Sequence, residues 1–275
     1  MNLIQIDDIG CAELAPYARL TEAQLLNRLH PEEGLFICES MKVIRVALER
    51  GLKPVSFLCE VKFLPHVEKL FSFFNSQFSI SQVPVYTAPR EVLKNLTGYE
   101  LSRGVLCCMR RPKLPGVGEV LRGARRVAVI DSVVNSENTG AIFRAAASLG
   151  IDAVLLTRTC CDPLNRRACR VSMGTVFQLP WTFLDNYMQL KDNGFSVVAL
   201  ALTDNSVPID DARLKEIERM AIVMGTEGEG LSDSVLRMAD YVARIPMQRG
   251  VDSLNVAAAA AVAFWELGKQ PAVPA

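Results

Sequence analysis

The sequence predicts an α/β protein in which a larger C-terminal domain with a mostly parallel sheet follows a smaller α/β domain. Three observations carry this. From residue 126 onward, short apolar runs such as 127–130 (VAVI) and 220–224 (MAIVM) alternate with helical patterns. The runs are apolar throughout, which is how strands covered on both faces read. Residues 112–125 hold Pro112, Pro115, Gly116, Gly118 and Gly123, the composition of a boundary. The domains are therefore expected at 1–111 and 126–275, with a linker at 112–125.

Taken in order, residues 20–29 carry a helical pattern and 34–38 a short strand. Ser40 is placed to cap a helix over 41–50, whose apolar positions are Val43, Ile44, Val46, Ala47 and Leu48, and Gly51 stops it. Strands at 55–59, 83–86 and 104–109 and a helix near 90–96 complete the first domain, in which nothing reads as catalytic. The second domain opens with a strand at 126–131 and a loop at 135–140. A helix at 141–149 follows, with Ile142, Ala145, Ala146 and Leu149 on one face. Strands are expected at 153–156, 176–179, 196–202, 220–224 and 241–245. A last helix runs from Val256 through an alanine-rich stretch to Trp265, and its small side chains suit close packing.

The bulk numbers exclude several classes. Half of the 275 residues are hydrophobic and 22% are charged, an ordinary globular profile. The longest apolar run, 256–265, is too short to span a bilayer. The start, MNLIQIDDIG, has acids where a signal peptide needs a basic segment. A cytoplasmic protein without a membrane partner is expected. Eight cysteines with no Cys-x-x-Cys, and only two isolated histidines (His30 and His66), point to core thiols and no metal. The net charge is zero, yet residues 103–126 hold seven basic residues and one acid, and 158–170 four arginines and one aspartate. Each patch is either solvated loop charge or a nucleic-acid footprint.

Three motifs stand at expected strand ends. The first runs from Asp131 through SVVNSENTGAIF to Arg144; Asn138 can cap a helix, Gly140 can relieve crowding, and Arg144 lies off the apolar face. The second is Met224 followed by GTEGEGLSD, a glycine loop that brings backbone N–H groups near a ligand, with Ser232 placed to cap the next helix. It has neither the dinucleotide spacing nor a phosphate-loop lysine, which argues against an ordinary nucleotide-binding enzyme. The third is IPMQRGVDSLNVA, residues 245–257, where Ser253 is an N-cap candidate and Asn255 has no ready structural role.

Together these blocks resemble the SpoU (TrmH-type) group of the SPOUT RNA methyltransferases. Asn138, Gly140, Arg144 and Ala146 match its first signature. Gly225, Glu227, Gly230 and Leu231 match its second, and 245–247 with 253–257 its third. The stretch 165–180 resembles the family segment ending in Ser-Met-Gly and a proline. The first domain resembles, more loosely, the family's substrate-binding domain, related to ribosomal protein L30. Ser136 stands where proline is usual, and Ser40 where glycine usually follows glutamate.

The resemblance implies a deep trefoil knot in the C-terminal domain, a homodimer, and S-adenosylmethionine as methyl donor to a ribose 2′-hydroxyl of ribosomal or transfer RNA. Arg144, Asn138, Glu227, Ser253 and Asn255 become the candidate catalytic residues. Gly225, Thr226, Gly230, Ile245, Met247, Ser253 and Leu254 become the candidate cofactor site. Arg110, Arg111, Arg166, Arg167 and Arg170 are the candidate RNA contacts. The alternative is an RNA-binding or ribosome-assembly protein that keeps this fold without catalysis.

Overall fold

The computed structural model describes residues 1–6, 10–18, 20–97, 104–226, 228 and 230–268. The chain forms two compact units. One is Met1–Lys113 with Leu164–Phe177; the other is Leu114–Pro163 with Gln178–Ala275.

Five strands make the sheet of the first unit: β1 (Asn2–Gln5), β2 (Leu35–Glu39), β3 (Pro54–Cys59), β4 (Pro84–Thr87) and β5 (Val105–Arg110). Their order is β1-β4-β3-β5-β2, with β5 antiparallel to both its neighbours and the other pairs parallel. The helix Met41–Glu49 buries Val43, Ile44, Ala47 and Leu48 and packs on β2 and β5. A second helix, Leu64–Phe78, absent from the sequence-derived elements, buries Val67, Leu70, Phe71 and Phe74 at helical spacing.

The excursion Leu164–Phe177 belongs to this unit, although chain order had put it in the second domain. Its helix Arg166–Val171 packs on β2, and the Phe177 ring lies 5.8 Å from that of Phe36. The strand expected at 176–179 is instead a 3-10 turn, Thr175–Phe177. The strand forms only after Pro180, whose carbonyl accepts from the Val154 N–H.

The second unit holds β6 (Arg126–Ile130), β7 (Ala153–Thr157), β8 (Trp181–Leu184), β9 (Ser196–Leu200), β10 (Val207–Pro208), β11 (Met220–Met224) and β12 (Tyr241–Arg244). The order is β10-β12-β9-β11-β6-β7-β8, and every pair among these described strands is parallel. All seven therefore end at one edge. Residues 112–125 are not only a linker: the helix Val117–Leu121 buries Val117, Val120 and Leu121 in this unit's core. The helices Ser136–Ser148 and Val256–Leu267 pack against each other, with Phe143, Ala146, Ala260, Ala263 and Phe264 buried. Among the described residues no helix is long and apolar enough to cross a membrane.

Ser40 caps the helix Met41–Glu49 from backbone unusual for serine. Its φ is +88° and ψ 145°, backbone that glycine adopts at little cost. Its hydroxyl accepts from the Val43 N–H only at 3.5 Å. Ser40→Gly is expected to stabilise the protein by roughly 1 kcal/mol, since relief of strain outweighs a long cap bond. Thermal denaturation checks this; an unchanged or lower Tm would refute it.

Candidate active site

The helix Ser136–Ser148 begins where β6 has delivered the chain to the sheet edge. Its N-cap is Asn135, not Asn138: Asn135 Oδ1 accepts from the backbone N–H of Glu137 (2.8 Å) and Asn138 (3.2 Å). Asn135 has the extended backbone a cap requires (φ −77°, ψ 118°). Ser136 is then the first helical residue, the position proline suits because its N–H has no partner within the helix. Asn138 sits half-buried in the first turn, and Arg144 stands exposed further along.

The last helix shows the same correction. Asn255, not Ser253, caps it, accepting from the N–H groups of Ala257 (3.0 Å) and Ala258 (3.4 Å). The other end of the same amide donates to Asn138 Oδ1 at 3.1 Å. One hydrogen bond thus joins the first and third motifs, 117 residues apart. Ser253 is left in the exposed loop ahead of the helix. Ser232 does open the helix Asp233–Met238, but its side chain makes no cap bond and pairs with Ser234 Oγ at 2.9 Å.

That loop borders a cavity of about 320 Å³ at the carboxyl ends of β9, β11 and β12. The cavity brings together all seven residues of the candidate cofactor set: Gly225, Thr226 and Gly230 after β11, Ile245 and Met247 after β12, and Ser253 and Leu254 from the loop. Apolar walls come from Leu200, Leu202, Leu231 and Leu236, and polar groups from Thr203 and Asp252. The glycine loop closes through a bridge between Thr226 and Gly230, which has φ +69°. A Cβ at position 225 would lie 2.6 Å from the Gly230 carbonyl oxygen. Glu227 lies outside the described residues.

Two contributors carry no sequence motif. Leu200–Thr203 form a wall because parallel pairing sets the end of β9 beside that of β11. Arg244, also lining the cavity, donates to the Ser206 carbonyl, and Ser206 Oγ donates to the Thr203 carbonyl at 2.6 Å. The arginine so fixes the turn that presents Thr203. Asp252 on the same cavity belongs to the third motif itself, in the polar loop before the last helix.

The candidate RNA-binding arginines all lie in the first unit but do not form one cluster. Arg110 pairs with Leu35 at the start of β2 and donates to the Glu33 carbonyl at 3.0 Å. Arg111, half-buried, follows it. Arg166 and Arg167 open a helix capped by Asn165, with Arg167 exposed. Arg170 reaches the opposite end of β2, where its guanidinium donates to the buried Glu39 carboxylate at 3.3 Å. Burial pushes the Cys59 and Cys108 thiols up to about 12, which disfavours their thiolates. Among the described residues no three His, Cys, Asp or Glu side chains gather as metal ligands would.

Residues 125–265 match the sequence pattern of the SpoU rRNA Methylase family. The chain belongs to that family. Among similar proteins, an uncharacterised tRNA/rRNA methyltransferase of Mycobacterium bovis is 45% identical over 188 residues, 66% of this chain. The match spans 65% of that relative's length. A 23S rRNA guanosine 2′-O-methyltransferase of Bacillus subtilis is 34% identical over 54% of this chain and 60% of its own. An rRNA methyltransferase of Sinorhizobium meliloti, solved with AdoMet bound, superposes with a TM-score of 0.80 at 22% identity, covering 96% of this chain and 97% of that one. That likeness shows that the two chains share a fold.

Two outcomes follow from these contacts. Gly225→Ala is expected to destabilise by roughly 2 kcal/mol, because the added methyl overpacks against backbone that cannot retreat without opening the loop. A wild-type urea midpoint in that variant would contradict it. Arg170→Ala should cost about 2 kcal/mol by leaving the Glu39 carboxylate without its cation, and adding Glu39→Gln should recover part of the loss. Denaturant midpoints of the single and double variants read this directly.

Proposed function

We propose that this protein transfers a methyl group from S-adenosylmethionine to a ribose 2′-hydroxyl of ribosomal or transfer RNA in the cytoplasm. The observation that carries the reading is the Asn255–Asn138 hydrogen bond. It ties the loop bearing Ser253 and Leu254, on the cavity, to the helix bearing Arg144, on the exposed side.

The cavity suits this methyl donor. Leucine walls fit an adenine ring, and the hydroxyls of Thr203, Thr226 and Ser253 fit ribose and carboxylate oxygens. The Asp252 carboxylate complements a cationic ligand. Gly225 lets the loop at the cavity close tightly on the Gly230 carbonyl, where a Cβ would not fit. When bound, S-adenosylmethionine supplies a methyl group made electrophilic by the sulfonium charge.

The remaining roles belong to the chain. A ribose hydroxyl is a weak nucleophile, so the site must stabilise developing oxyanion charge and receive a proton. Arg144, a guanidinium that stays charged, holds the neighbouring phosphate and stabilises the alkoxide. Asn138 orients the hydroxyl, Glu227 relays the proton, and Ser253 and Asn255 hold the donor side of the site in place. Arg110, Arg111, Arg166 and Arg167 contact RNA phosphates, which makes affinity salt-dependent. The family's trefoil knot and homodimer belong to the same reading. Their support is the small-residue packing of Val256–Leu267, with Ala260 and Ala263 buried and Val262 and Trp265 left exposed on the same helix.

The test is transfer of labelled methyl to unmodified ribosomal and transfer RNA pools, followed by nucleoside analysis. A 2′-O-methylated nucleoside from one pool is expected; a base-methylated product or no transfer refutes the reading. Arg144→Ala should lower kcat by about 10²-fold or more, the scale of losing an oxyanion partner, while calorimetric binding of S-adenosylmethionine stays near wild type. Full activity in Arg144→Ala removes the arginine from the mechanism.

A further inference from the structure

Asp131, the residue after β6, stands where the two halves of the site meet. Its backbone N–H donates to the carbonyl of Met224, the last residue of β11, at 2.9 Å. It thus sits beside the base of the Gly225 loop. Its carboxylate accepts three hydrogen bonds. Ser132 Oγ and Thr157 Oγ1 each donate to Oδ1 at 3.0 Å, and the Tyr187 hydroxyl donates to Oδ2 at 2.8 Å. The donors come from the segment after β6, the last residue of β7 and the segment after β8. An ionised carboxylate is the side chain that accepts only and has lone pairs enough for all three.

The turn beyond Asp131 needs that support. Ser132 has φ +57°, a conformation that costs a serine about 1 kcal/mol or more unless its surroundings impose it. Its N–H donates to Thr157 Oγ1 at 2.9 Å, the same hydroxyl that donates to Asp131. The Val133 carbonyl then accepts from the Cys161 N–H at 2.9 Å. Two residues later Asn135 caps the helix that carries Asn138 and Arg144. Asp131 itself is neither on the cavity nor bonded to Asn138, so it acts through the turn.

We propose that Asp131 is the positioning residue of the target-nucleotide side: by anchoring the 131–135 turn to Thr157 and Tyr187 it sets where Asn138 and Arg144 stand. This rests on the methyl-transfer reading and adds to it a residue for which the signature motifs assign no role.

The experiment compares Asp131→Ala, Asp131→Asn and Tyr187→Phe in the full chain. S-adenosylmethionine affinity, methyl-transfer kinetics on unmodified RNA, and the side-chain amide resonances of Asn138 and Asn255 are measured. Asp131→Ala should lower kcat by about 10²-fold, as a displacement near 1 Å does, with cofactor affinity changed less than about threefold. Asp131→Asn keeps the acceptor at Oδ1 and presents an amide to the Tyr187 oxygen, so it should recover to within about tenfold of wild type. Tyr187→Phe, which removes one of the three bonds, should fall between Asp131→Ala and wild type. The Asn138 and Asn255 resonances should move in Asp131→Ala and return in Asp131→Asn. Those of Asn193, whose amide donates to the Gln189 carbonyl at 2.7 Å, should stay in place throughout.

Near-wild-type kcat in Asp131→Ala, unmoved Asn138 and Asn255 resonances, or loss of kcat and cofactor affinity in equal proportion would overturn the assignment. Absence of transfer by the wild-type protein would instead overturn the activity reading. The amide resonances, which need no RNA, then decide the positioning role alone.

Discussion

The parallel pairing of β11 with β9 on one side and β6 on the other is the constraint from which the second unit follows. β11 is buried along its whole length, Met220 through Met224. Each such aliphatic side chain contributes about 1.5–3 kcal/mol by leaving water, so the strand cannot move to the surface. Because its neighbours run the same way, their chains all leave the sheet at one edge, where α/β folds place their ligands. The register pairs Met224 with Ile130 and Val223 with Ala199. Gly225, Asp131 and the 200–203 segment are therefore neighbours because of strand pairing, not because of any attraction among themselves.

Helix caps then perform a second task. Asn255 spends its amide oxygen on two backbone N–H groups and its amide nitrogen on Asn138. Aspartate would cap the helix equally well but has no donor for Asn138, and serine has too short a reach for both. The identity of this residue follows from the two demands together.

Much of this was legible in the sequence. Strands buried on both faces announce themselves as unbroken apolar runs, and β6, β7, β9, β11 and β12 fall within a residue or two of where the runs lie. The caps of the two site helices were not legible, because more than one amide or hydroxyl residue stands near each helix start. Backbone torsion decides between them, as the extended Asn135 and Asn255 show. The Leu64–Phe78 helix carries its period in Val67, Leu70, Phe71 and Phe74, but the exposed Phe73 blurs the stripe. For the arginines, a count of charges along the chain could not separate Arg170, committed to Glu39, from Arg167, which lies exposed. The candidate cofactor residues meet on one cavity because the loop after β11 and the segment between β12 and the last helix converge there, whereas the Leu200–Thr203 wall has no chemistry of its own to mark it.

The excursion Leu164–Phe177 has a consequence for how the protein is made. The chain passes between its units three times, at 113–114, 163–164 and 177–178. During synthesis the first unit remains unfinished until residue 177 has emerged, since the helix that covers β2 and the ring beside Phe36 arrive more than fifty residues after Lys113. A fragment ending at Lys113 would carry an uncovered strand edge region and a buried acid with its cation missing. N-terminal-first folding, the usual order on the ribosome, is therefore delayed until residue 177, past the domain boundary that chain order suggests. A translation product interrupted before residue 177 would lack the helix over β2 and would be a substrate for chaperones or proteases.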